Sequence, residues 1–191
     1  MFKKFLAGAA FVGMLATAAS ASALTYVSQL EYRDGLVGAH TPSFGTVTLE
    51  ELNATSVKVT VALTNANSLF VNTGGPHDPF LFNLVGAGDT VSITNGVNDE
   101  FTYAGFGSYS ATPFGTFTNK IGCCGGESKK GQTYGDPPPL VFTVSNAAGF
   151  SFAGTGATFD PITHKVLTTG TGNHFVSNSG GWWFDADIYD G

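Results

Sequence analysis

The sequence predicts an all-β protein, a single antiparallel β-sandwich or jelly-roll-like domain over residues 24–191, and three observations carry that prediction. Residues 56–63 alternate strictly, with Val57, Val59, Val61 and Leu63 pointing one way and Ser56, Lys58, Thr60 and Ala62 the other. The chain is rich in Gly (26) and Phe (17) while only 12% of its residues are charged, a mixture that suits strands and tight turns and disfavours helices. Short apolar runs recur between Gly, Pro, Asn and Ser, and no stretch shows a helical apolar period.

Taken in order, the first element is not part of the fold. Lys3 and Lys4 precede an apolar run from Phe5 to Ala18, followed by two A-x-A sites, Ala19-Ser20-Ala21 and Ala21-Ser22-Ala23. This is the pattern of a cleavable signal peptide, residues 1–23, with the cut before Leu24. It predicts a secreted or extracellular protein, with the cell surface as the other destination. No later stretch is apolar enough to cross a membrane as a helix.

In the mature chain, Val47 and Leu49 alternate ahead of the 56–63 strand, and the polar residues 50–53 are expected to close a hairpin between them. Phe80, Phe82 and Leu84 form the next run, then Val91 and Ile93. The Asn95-Gly96 step predicts a hairpin turn returning through Phe101 and Tyr103. The Gly- and Pro-rich stretch from Gly105 to Pro139 reads as long loops around a short strand at Thr116 to Thr118. Further runs lie at Leu140 to Val144, Phe150 to Phe152 and Trp182 to Ile188, with a single helical turn at Asn146 to Ala148.

Charge narrows the function classes. The whole chain carries 8 Lys+Arg against 14 Asp+Glu, and the signal peptide removes two of the lysines and no acid. Phosphate backbones are bound by clustered Lys and Arg, and this chain has one arginine, Arg33, and one lysine doublet after the signal, so nucleic acid is excluded as a partner.

Candidate chemistry falls in three places. Cys123 and Cys124 are the only cysteines and are adjacent, which predicts a disulfide between neighbours acting as a loop staple; a redox switch or metal-binding thiol pair is the competing reading. Histidines 40, 77, 164 and 174 show neither helical nor strand pairing, and no metal site is assigned to them. In the last run, alternation places Trp182, Phe184, Ala186 and Ile188 in the core and displays Trp183, Asp185 and Asp187 outside. An aromatic with two carboxylates is the equipment of a sugar-binding face. The same aspartates with residues 95–100 would be the donors for calcium, the one cofactor weighed, although no EF-hand loop is present. The plain alternative is an edge strand guarded by charge.

Catalysis is the minority reading. Two aspartates side by side on one strand do not face each other across a glycosidic bond. The chain also lacks a Gly-x-Ser-x-Gly elbow, a phosphate loop and a His-Glu-x-x-His helix.

The order of Gly45 to Leu49, the Val57–Leu63 strand, Phe70 to Phe80 with its Gly-Gly-Pro-His-Asp-Pro core, a Cys/Gly loop, Pro139 to Val144 and Gly181 to Ile188 resembles exported proteins of the PEP-CTERM/exosortase system. The resemblance implies a secreted or surface protein of an exopolysaccharide-producing bacterium, associated with extracellular polysaccharide or the biofilm matrix and without a catalytic motif. The group's C-terminal Pro-Glu-Pro motif, apolar helix and basic end do not occur in this sequence, so processing and anchoring by that tail are not implied.

Overall fold

The alternating run at 56–63 is the centre of the larger sheet. The computed structural model describes residues 25–32, 39–74, 77–85, 88–94, 100–124, 135–150, 158–159, 166–168 and 175–189; the signal peptide lies outside them, as do the Asn95-Gly96 turn, Phe152, His164 and His174. β1 (Thr25–Leu30), β2 (Gly45–Asn53), β3 (Ser56–Leu63), β10 (Leu140–Ser145) and β6 (Thr90–Ile93) hydrogen-bond in that order, every pair antiparallel. Val47 and Leu49, Val57, Val59 and Val61, and Leu140, Phe142 and Val144 are buried on one face of this sheet. The period of two read from the sequence is therefore the period of burial.

Against that face packs a four-stranded sheet in the order β13 (Phe184–Asp185), β5 (Phe80–Phe82), β8 (Gly115–Gly122) and β7 (Thr102–Ala111). The layers meet through aromatic rings: Phe82 and Phe142 lie 5.2 Å apart by ring centroid, Phe80 and Phe184 stack at 5.8 Å, and Phe175 reaches both Phe82 and Phe184. Each such ring buries a large apolar area at an offset or edge geometry that its quadrupole favours. A three-stranded sheet, β14 (Ile188–Tyr189), β4 (Leu69–Val71) and β9 (Gly135–Asp136), closes one end, and β11 (Thr158–Phe159) pairs with β12 (Val166–Thr168) as a ribbon. No helix occurs among the described residues, and the architecture is an all-β sandwich.

Several element expectations are corrected. The 45–63 hairpin forms, but β2 runs through Asn53 and the turn is Ala54-Thr55, held by the Asn53 side chain accepting from the Thr55 backbone N–H at 2.8 Å. Local side-chain bonding of this kind sets a turn that alternation alone does not locate. β6 pairs with β10 and not with the strand that follows it, while β7 pairs with β8. Within the 105–139 stretch, the residues up to Gly122 thus belong to a long hairpin turning at Thr112 to Phe114, because their many small side chains fit an exposed pleated surface despite weak strand propensity, and 125–134 lie outside the described residues. Residues 146–148 make a tight turn with Gly149 donating to the Asn146 carbonyl, and no helical turn. β1, which the sequence reading left unassigned, alternates only weakly.

Candidate functional site

The site follows from how the chain enters β13. Asn178 acts as a clamp: its side-chain oxygen accepts from the backbone N–H of Gly180 and Trp182 at 2.9 and 3.0 Å, and its amide donates to the Phe114 carbonyl at 2.8 Å. Gly181 takes φ 82°, a left-handed conformation that costs glycine little and other residues more. The reversal this produces sends Trp182 toward the surface against Tyr32 and Phe114, with edge-on ring contacts at 4.9 and 5.3 Å.

The next residues alternate in the usual manner, but from a different starting point. Phe184 lies opposite Phe82 and joins the main core, while Asp185 lies opposite Leu81, which in turn lies opposite Lys120. Directly opposed residues of antiparallel strands share a face, so Asp185, Leu81 and Lys120 form a row on the far side of the sheet from the Phe core. That side carries its own small apolar cluster of Leu81, Ala111 and Phe117, covered by Tyr109, Phe114 and Trp182.

Trp183, expected outside with the aspartates, is instead only 7% exposed and packs in the main core; Trp182, expected in the core, stands at the surface cluster. The two tryptophans are exchanged relative to strict alternation because regular strand begins at Phe184, after the Asn178–Gly181 reversal. Trp183 therefore does not stand beside the aspartates, and Trp182 lines their cleft instead. Asp185 lies on the expected side of its strand but is mostly buried, and the run divides between two sheets, so that Asp187 stands between β13 and β14.

Both aspartates open onto a cleft of about 590 Å³ that Trp182, Tyr32, Phe114 and Tyr189 line with aromatic surface, and Glu31, His77 and Thr73 line with polar groups. Asp187 is fixed: its carboxylate accepts from the Thr73 backbone N–H at 2.9 Å and hydroxyl at 2.6 Å, and its own backbone carbonyl accepts from Val71. Asp78, just behind, holds Lys120 at 2.8 Å. Burial pushes the Asp185 carboxyl up to about 7, with the charges of Asp187 and Asp78 adding to the rise. Near neutral pH this group shares its time between neutral donor and charged acceptor, and neighbouring ring faces offer C–H and cation contacts. A sugar, with apolar C–H faces and a hydroxyl rim, is the kind of molecule that such a lining complements.

Of the other predicted residues, Cys123 and Cys124 directly follow β8 and are both buried in the main core. Their sulfurs are placed together as a vicinal pair with a Cα–Cα separation of 3.8 Å, under the roughly 4.4 Å minimum of ordinary disulfides, and each lies 3.5 Å from the Phe70 carbonyl oxygen. With Asp136 they bring three donor atoms within 4.8 Å of one another. Thiolates are the ligands of soft metals, and sulfurs joined to each other are not thiolates, so the pairing and metal capture are mutually exclusive. The aspartates of the cleft form no comparable three-donor group among the described residues, and of the calcium donors proposed from sequence, 95–99 lie outside them. His40 stacks on Phe44 at 4.4 Å, a packing role.

Sequence reading missed Tyr32, Glu31 and Phe114. The first two follow the unassigned β1, and Phe114 sits in a hairpin turn read as loop; only their place in the fold brings them beside Asp185. Compared with known proteins, the chain matches no family model, no curated protein and no solved structure. The cleft is therefore interpreted on its own chemistry.

Proposed function

We propose that this chain is an exported, non-catalytic glycan-binding protein, a secreted or cell-surface component that associates with extracellular polysaccharide. One observation carries the reading: a cleft in which Trp182, Tyr32 and Phe114 present aromatic surface beside the carboxylates of Asp185 and Asp187. The signal-peptide pattern at residues 1–23 supplies the extracellular setting, and the likeness to PEP-CTERM/exosortase proteins agrees with it. Binding of the mature protein to immobilised polysaccharides tests the proposal; the wild type is expected to be retained and Trp182→Ala to flow through at a temperature where it remains fully folded.

A second reading, glycoside hydrolysis, is favoured specifically by the raised Asp185 carboxyl, since a general acid must be protonated near working pH. Hydrolysis also needs a second carboxylate across the scissile bond, and Asp187 lies two residues away on the same chain segment, occupied by Thr73. Glu31, on the β1 side, is the other carboxylate lining the cleft. No release of reducing ends is expected from polysaccharide incubated with the protein; release that Asp185→Asn abolishes would establish the enzyme.

A further inference from the structure

The charge of the cleft is as one-sided as its aromatic lining. Glu31, Asp185 and Asp187 line it, and no lysine or arginine does among the described residues. Lys120, in the same cross-strand row as Asp185, is drawn off by Asp78 at 2.8 Å. Asp185, disfavoured as an anion first by its burial, also faces the like charges of Asp187 and Asp78, and His77 is the only basic side chain on the lining among the described residues. A polymer of uronic acids would bring further negative charge into this field, and a neutral polymer would leave the repulsion in place. A ligand ammonium would relieve it, and would also be attracted to the face of an indole.

We infer that the cleft recognises an amino-sugar polymer with free amines, a cationic glycan, in preference to neutral or uronic-acid polymers. The inference rests on the glycan-binding reading above. Trp182 supplies the surface on which a sugar ring or its ammonium lies, and Glu31, Asp185 and Asp187 supply the charge that selects the amine. The raised Asp185 carboxyl agrees with this division: burial first and the neighbouring acids second disfavour its charge, and a bound ammonium favours the ionised form. Screening by salt should weaken the amine preference more than it weakens ring stacking.

Calorimetry near neutral pH with a glucosamine hexamer, its fully N-acetylated counterpart, a glucuronate oligomer and oligolysine separates the possibilities. The glucosamine hexamer should bind about tenfold or more tightly than the N-acetylated one, a difference within the range of one or two partly screened charge contacts. Glu31→Gln combined with Asp185→Asn should erase that preference, bringing glucosamine binding down to the level of the N-acetylated hexamer, with the circular dichroism spectrum and melting profile showing that the variant is folded. Trp182→Ala should lose both sugars. Equal affinity for the two hexamers, or tighter binding of glucuronate, would overturn the inference and leave the glycan-binding reading standing. Oligolysine binding as tightly as glucosamine, indifferent to Trp182→Ala, would overturn it in favour of charge alone. No binding of any oligosaccharide would remove the glycan-binding reading and this inference with it.

Discussion

Phe184 and Asp185 are neighbours in one two-residue strand, and they face opposite sides of the same sheet. On the Phe184 side, rings from five separate segments close on one another: Phe80 and Phe82, Phe142, Phe150, Phe175 and Phe184. The ring contacts there join apolar surfaces whose burial is favourable, although the Trp183 indole N–H of the same core is buried without a hydrogen-bond partner. On the Asp185 side a carboxyl is held partly buried beside two more carboxylates, an arrangement that burial penalises. Comparing the two sides shows where stability is made and where some of it is given up, and a group kept at a cost is a candidate for function.

The largest effects should come from the Phe side. Phe82 is fully buried between the two layers, and Phe82→Ala should destabilise the protein by about 3–5 kcal/mol in urea unfolding. Trp183→Ala should fall in the same range of about 3–5 kcal/mol, since Trp183 belongs to that core. A loss under about 1 kcal/mol for either would mean that the layers are not packed as described.

The Asp side should respond with the opposite sign and only at one end of the pH scale. Folding raises the Asp185 pKa from 3.8 to about 7, so the folded state binds the proton more tightly than the unfolded state. Its stability contribution is therefore present at acid pH and is lost as pH rises toward 7. Asp185→Asn mimics the protonated carboxyl. It should stabilise the protein by about 2–4 kcal/mol near pH 8 and change little near pH 4. Burial raises the midpoint most, and the charges of Asp187 and Asp78 raise it further. Equal stability of the variant and the wild type at both pH values would show that Asp185 carries no such strain.

How much of this was legible in the sequence divides along the same line. The Phe side was readable because alternation at Val57 to Leu63 and Leu140 to Val144 is a local signal of which side chains turn inward. The side of the sheet to which Asp185 turns was readable for the same reason, but its burial and the break of the run before Asp187 were not. Their partners were not, because Tyr32, Glu31 and Phe114 reach the cleft through sheet order, and sheet order is not written in any single window. Trp182 and Trp183 were exchanged because one Asx-bonded reversal at Asn178 with a left-handed Gly181 shifted the phase of the run by a residue.

The smallest effect belongs to the cysteines. A bond between neighbours closes a minimal loop, so Cys123→Ser with Cys124→Ser should cost only about 1 kcal/mol. Intact mass of the unreduced mature protein should show two hydrogens fewer than the dithiol and no dimer. Two freely alkylated thiols in material never exposed to reductant would show that the pair is open, and would return the Cys123, Cys124 and Asp136 donors to consideration as a metal site.

The exchange of the two tryptophans is where the account of the cleft is most exposed. Trp182→Ala and Trp183→Ala should be measured side by side for unfolding free energy and for retention on polysaccharide, with binding assayed where both are fully folded. The account predicts that Trp182→Ala abolishes retention at a modest stability cost of about 1–2 kcal/mol, from its edge contacts with Tyr32 and Phe114, while Trp183→Ala keeps retention and loses the larger amount. Retention lost with Trp183 and kept without Trp182 would contradict it.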